Sequence, residues 1–225
     1  METSSPSGAA RLFKPPIIGL HTGSKIFMHL FSSYRVMGAE NVPKPPFLLT
    51  FNHLAFWDAP AIGAVVNYAT PAFAAKKYKG KPVSLLFYVG SPIWIEQEAP
   101  DRRALMTALK ILEDGDLFAI APEGHRSKGA LLPGLEGVAF IATRANVPIL
   151  PVAIAGTEKM FKQLRPDVQV SIGKPYRLPE GRAKGDVLIE YTERIMCAIA
   201  ALLPESYRGV YAGNPLIEEM AALVI

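Results

Sequence analysis

The sequence predicts an α/β fold: a single layered domain with a mixed, largely parallel sheet flanked by helices, preceded by an N-terminal amphipathic helical segment. Three observations predict it. Short apolar runs alternate with longer segments of helical period, and Gly, Pro, Asn and Asp punctuate the junctions between them. A length of 225 residues, half of them hydrophobic and 20% charged, suits one large core and excludes general disorder. The expected division is a tail and helical segment over residues 1–34, then one domain over residues 35–225.

The elements follow in order. Over residues 17–31, Ile17, Leu20, Ser24, Phe27, Met28 and Phe31 recur at three- and four-residue steps, with Lys25 and Arg35 available to a phosphate-rich interface. Gly19 and Gly23 weaken this helix, and the pattern suits a membrane-docking helix as well as one packed on the domain. Residues 47–51 form an apolar run between Pro45-Pro46 and Asn52-His53, the signature of a buried strand ending in a loop. A helix is expected over 60–68, a strand over 93–95, and a helix over 101–114 with Asp101 as its cap and Gly115 as its stop. Strands at 117–121, 149–155 and 168–172, with helices at 135–145 and 187–203, complete the alternation.

Charge and composition narrow the partners. Lys and Arg exceed Asp and Glu for a formal net charge of +4, which favours anionic ligands. The densest basic cluster, Lys76, Lys77, Lys79 and Lys81, encloses only Tyr78, so the basic stripe with stacking aromatics that nucleic acid requires is not expected. No window supplies the ~20 uninterrupted apolar residues of a membrane-spanning helix, and no signal peptide is expected at the polar start. The lone Cys197 fits a core position in a reducing compartment. Four histidines and one cysteine show no metal-ligand spacing, so no metal is expected.

Two strand-end loops carry chemistry. In Asn52-His53-Leu54-Ala55-Phe56-Trp57-Asp58, the His and the Asp would lie about 140° apart on an ideal helix, so only a turn between them brings them together. If His53 ends the strand and Asp58 opens a helix, the carboxylate can hold one ring nitrogen while the other faces a pocket, the arrangement of a general base. A purely structural histidine fits the same loop. In Pro122-Glu123-Gly124-His125-Arg126-Ser127-Lys128-Gly129, glycines allow close backbone approach, Arg126 offers a planar fork for phosphate or carboxylate, and Lys128 adds a point charge. The alternative for this loop is a solvated turn with Glu123 paired to Arg126.

Taken in order, these segments resemble the glycerolipid acyltransferases typified by 1-acyl-sn-glycerol-3-phosphate acyltransferase. Asn52-His53 through Asp58 matches that family's His-x4-Asp block, and residues 90–97 stand where its acceptor-binding block stands. Residues 122–127 match Pro-Glu-Gly-Thr-Arg-Ser, residues 147–152 match the apolar fourth block, and the lead-in at 38–43 resembles Gly-x-Glu-Asn-x-Pro. The resemblance covers roughly residues 35–179. Ala55 departs from a common Ser, His125 from the usual Thr, and Gln97 from a common phosphate-binding Arg, with Arg102 and Arg103 nearby in sequence.

The resemblance implies acyl transfer from acyl-CoA or acyl carrier protein to a hydroxyl of lysophosphatidic acid or a similar glycerophospholipid, without a bound cofactor. His53 would act as base and Asp58 would orient it, with no covalent acyl-enzyme through Ser127 or Cys197. Arg126, positioned by Glu123 and assisted by Lys76 or Lys77, would hold the acceptor phosphate, with Gly124, Ser127 and Gln97 completing the substrate-binding set. Backbone amides near Gly124 or just after His53 would serve the oxyanion, and an apolar slot beside the site would take the acyl chain. A peripheral protein on the cytoplasmic face of a membrane follows from such substrates. Alternatives at this point are a non-phosphate acceptor, a non-catalytic lipid-binding protein on the same fold, and a hydrolase using Ser127.

Overall fold

The computed structural model describes residues 14–81, 92–96 and 101–225, with side chains from residue 19 onward. Its strands are β1 (Ser33–Met37), β2 (Leu48–Phe51), β3 (Phe73–Ala75), β4 (Ile93–Ile95), β5 (Phe118–Ile120), β6 (Ile149–Ala155) and β7 (Asp167–Ile172). The longer helices are α1 (Lys14–Phe31), α2 (Asp58–Gly63), α3 (Arg102–Glu113), α4 (Gly137–Ala145), α5 (Asp186–Leu202) and α6 (Leu216–Val224).

The main sheet has the order β1-β7-β6-β2-β5. Its pairs are parallel except β6 with β7, where Val152 lies opposite Ile172 and Ala155 opposite Gln169. β3 and β4 form a parallel pair that meets β5 through one bridge, Ala72 to Ala119. The expected mixed, largely parallel α/β sheet is therefore present. All seven residues of β6 are buried, because helices cover both faces of the sheet and leave no solvated side to alternate toward.

Two apolar cores result. On one face α3, α4, α5 and α6 pack against Leu48, Phe118, Ile149 and Ala153, and Cys197 lies fully buried there, as expected. On the other face α1 and α2 pack against Leu49, Leu150, Val152 and Ile154. Alternate residues of β2 and β6 thus point to opposite cores, as strand geometry requires.

Local chemistry explains the element ends. Asp101 caps α3 by accepting the Ala104 amide at 3.0 Å, and Gly115, at φ 89, follows its end, both as expected. The helix expected over 60–68 instead begins at Asp58 and stops at Gly63, where a glycine precedes the β-branched Val65 and Val66. The last carbonyl of α2, on Gly63, meets His21 Nδ1 of α1 at 2.9 Å. Strands β1 and β3 and helix α6 lie where no element was expected. β1 is an edge strand with alternating exposure and polar residues, and β3 is mostly alanine, which has little strand preference.

Candidate active site

The site forms where β2, β5 and β6 end on the same side of the sheet. β2 stops at Phe51, and the side chain of Asn52 takes over its pairing. Asn52 donates from Nδ2 to the Ile154 carbonyl at 2.8 Å and accepts the Ile154 amide on Oδ1 at 2.7 Å. One buried amide group therefore continues the ladder to β6 after the backbone has turned away, and the turn delivers His53.

His53 and Asp58, five residues apart, are brought together as their spacing allows. His53 Nδ1 lies 2.6 Å from Asp58 Oδ2, and the same oxygen accepts the amides of Leu54 at 2.7 Å and Ala55 at 2.9 Å. Asp58 opens α2 and is fully buried; its other oxygen accepts the hydroxyl of the equally buried Thr157, which follows β6. Both carboxylate oxygens are thus committed to hydrogen bonds, as burial of a polar group demands. The imidazole side chain stays 30% exposed, and among the described residues Nε2 has no hydrogen-bond partner. Donation from Nδ1–H to Asp58 selects the tautomer whose Nε2 lone pair is open.

The second loop is braced against the first. Glu123 is buried and accepts the His53 amide at 2.7 Å and the Leu132 amide at 2.9 Å, while the Ser127 amide donates to the His53 carbonyl at 2.7 Å. Burial pushes the Glu123 carboxyl above the usual range, opposed by these two backbone donors. Gly124, at φ 68, turns the loop where a Cβ would stand 2.8 Å from Leu135 Cδ1. The expected pairing of Glu123 with Arg126 is corrected: both Glu123 oxygens are taken by backbone amides, and Arg126 turns outward.

Arg126 donates to the Tyr78 hydroxyl, and its guanidinium lies 5.8 Å from that ring's centroid. Lys77 Nζ lies 5.5 Å from the same centroid, so Lys77 and Arg126 converge on Tyr78. Lys76 turns instead to Glu96, at 3.0 Å. The Ser127 hydroxyl is buried without a hydrogen-bond partner among the described residues, so a serine-nucleophile reading finds no His53–Ser127 hydrogen bond. Of the amides expected to serve the oxyanion, those of Leu54 and Ala55 bond Asp58, and that of Gly124 donates to the Ala121 carbonyl at 3.1 Å. Gln97, with Gly90 and Ser91 of the same block, lies outside the described residues.

Beside the site, α1, α2 and the segment leading to β3 enclose an apolar groove of about 460 Å³. Phe51, Phe56 and Trp57, which flank His53 in sequence, line it together with Phe27, Gly19 and Gly23 of α1. The two glycines that weaken α1 as a helix leave open space, since a Cβ on either would meet nothing within 4 Å.

Sequence reasoning missed Thr157, Tyr78 and the ladder role of Asn52. Each acts across the fold, with 102 residues separating Asn52 from Ile154 and 99 separating Thr157 from Asp58. No local pattern announces such contacts.

A His–Asp pair thus stands at the end of a strand in a mixed α/β sheet, braced by a Pro-Glu-Gly loop and bordered by an apolar groove. The acyltransferase family model matches residues 33–155, and the chain belongs to that family. It is 24% identical over 157 residues to a 1-acyl-sn-glycerol-3-phosphate acyltransferase of Bacillus subtilis, covering 67% of this chain and 77% of that protein. It is 26% identical over 133 residues to a protein of the same name from Saccharomyces cerevisiae, covering 56% of this chain and 44% of that one. The crystal structure of the 1-acyl-sn-glycerophosphate (LPA) acyltransferase PlsC from Thermotoga maritima superposes with a TM-score of 0.65 at 29% identity, over 80% of this chain and 76% of that one.

Proposed function

We propose that this acyltransferase moves a fatty acyl group from a thioester, on CoA or acyl carrier protein, to the free hydroxyl of lysophosphatidic acid. The observation that carries the reading is the His53–Asp58 pair at 2.6 Å with Nε2 open. Nε2 accepts the proton of the acceptor hydroxyl as its oxygen attacks the thioester carbonyl. The tetrahedral intermediate collapses by breaking the carbon–sulfur bond, and the departing thiolate takes the proton from the imidazolium. Asp58 stabilises that imidazolium and fixes its orientation, and Thr157 and the Leu54 and Ala55 amides hold Asp58 in turn.

The acceptor is supported by the curated relatives named above and by the basic pair Lys77 and Arg126 gathered at Tyr78. Arg126 supplies a bidentate fork for the phosphate and Lys77 a point charge. The apolar groove takes the acyl chain. No helix among the described residues is long and apolar enough to cross a membrane; α1 exposes Ile26, Leu30 and Phe31 and would rest on a membrane surface, where both lipid substrates reside.

The test is turnover of radiolabelled acyl-CoA with lysophosphatidic acid and with lysophospholipids of other head groups. His53→Ala should lower kcat by about 10²–10⁴ with acceptor binding retained. Undiminished turnover in that variant would overturn the reading. Arg126→Ala should raise KM for lysophosphatidic acid more than for an uncharged acceptor.

A further inference from the structure

The segment between β6 and β7 does more than place Thr157. Leu164 is 97% exposed and Phe161 57%, at the tip and base of a protruding loop over residues 160–165. Phe161 and Arg165 adopt left-handed backbone, at φ 63 and φ 47. A bulky aromatic residue is held in that region only when its surroundings compensate the cost. Here the compensation is visible. The Phe161 ring lies 4.7 Å from that of Trp57 and 5.2 Å from that of Phe31, and Phe27 stacks on Trp57 at 5.4 Å. Arg165 Nη2 donates to the His29 carbonyl at 3.3 Å, and the Ser33 amide donates to Pro166 at 3.0 Å, lashing the loop to the end of α1.

The loop and α1 therefore share one surface. On the helix, Ile26 and Leu30 are 63% and 64% exposed. Lys25, Lys162 and Arg165 are exposed around them, and among the described residues none has an ion pair. Exposed apolar side chains accompanied by cations that form no ion pair among the described residues match a bilayer that presents anionic headgroups above hydrocarbon. A protruding tip such as Leu164, touching little of its own chain, suits insertion between lipids better than a protein interface, whose apolar centre is packed flush. Phe27 and Trp57, in this aromatic cluster, also line the groove, so the surface borders the groove's mouth.

We propose that the 160–165 loop is a second membrane-inserting element, with Leu164 as its tip, which together with α1 seats the protein on an anionic bilayer and turns the groove's mouth toward it. This rests on the membrane-surface reading of α1 given above and adds a separate anchor to it.

The test is co-sedimentation with phosphatidylcholine vesicles carrying phosphatidylglycerol. Leu164→Asp should lower the partition coefficient by about tenfold or more, the effect of withdrawing one buried leucine from an apolar phase. Turnover with substrates dispersed in detergent micelles should stay at the wild-type level. A polarity-sensitive fluorophore on Leu164→Cys should brighten on vesicle addition; the chain's other thiol, Cys197, is buried. If Leu164→Asp sediments like the wild type while Ile26→Asp is lost from the pellet, the loop proposal falls and the α1 reading stands. If the wild type ignores the vesicles, both fall. Loss of micellar turnover in Leu164→Asp would place the loop in the catalytic unit and overturn the anchor.

Discussion

Four groups that point at Asp58 offset the cost of burying it, and the most distant of these in sequence, the Thr157 hydroxyl, is the one a substitution can remove cleanly. Thr157→Val should lower kcat about tenfold with little change in KM, and Thr157→Ser should restore it, as expected of a residue that positions Asp58 rather than touching substrate. Glu123 makes a different prediction. Its carboxyl is raised above the ordinary value of 4.5 by burial, so the folded state keeps a proton that the unfolded chain has lost. Its contribution to stability is fully present below that value and is lost as pH climbs through the raised one. Glu123→Gln should flatten this part of a plot of Tm against pH. Cys197, whose thiol burial pushes up to about 12, should resist thiol reagents at neutral pH until denaturant is added.

At the scale of elements, legibility followed burial and periodicity. α3 could be read to its cap and stop because Asp101 and Gly115 act within one turn of their helix. β2, β5 and β6 were legible as apolar runs because both their faces are covered. α6 was missed although it is amphipathic and follows Pro215, since it lies beyond the last alternation of strand and helix. The loop bearing His53 and Asp58 was half legible. The spacing of His53 and Asp58 required a turn, but the amide of Asn52 that makes the turn possible bonds a strand with no sequence proximity to it. Asn52→Ala should cost about 2–4 kcal/mol in a denaturation experiment, since it leaves the buried Ile154 amide and carbonyl unpaired. Gly156, at φ 91, joins β6 to the turn bearing Thr157, and a Cβ there would lie 1.9 Å from the Asp167 carbonyl oxygen. Gly156→Ala should therefore destabilise the protein by more than about 2 kcal/mol and lower activity with it.

Across the whole molecule, the sheet separates two chemically different halves. The α3–α6 side packs the larger buried apolar cluster, whereas the α1–α2 side holds the apolar groove beside His53. Gly23 lines that groove with space beyond its Cα, so Gly23→Leu should fill part of it and shift turnover toward shorter acyl chains, as measured by competition between acyl-CoAs of different length. The proposed base also hangs from the middle of the sheet. Asn52 ties its loop to Ile154, and Thr157 ties its carboxylate partner to the end of the same wholly buried strand. A centre moored at both points to one wholly buried central strand should open only when that strand does. Inactivation by urea should then share its midpoint with the collapse of the entire domain, so that every molecule still folded is a molecule still able to turn over.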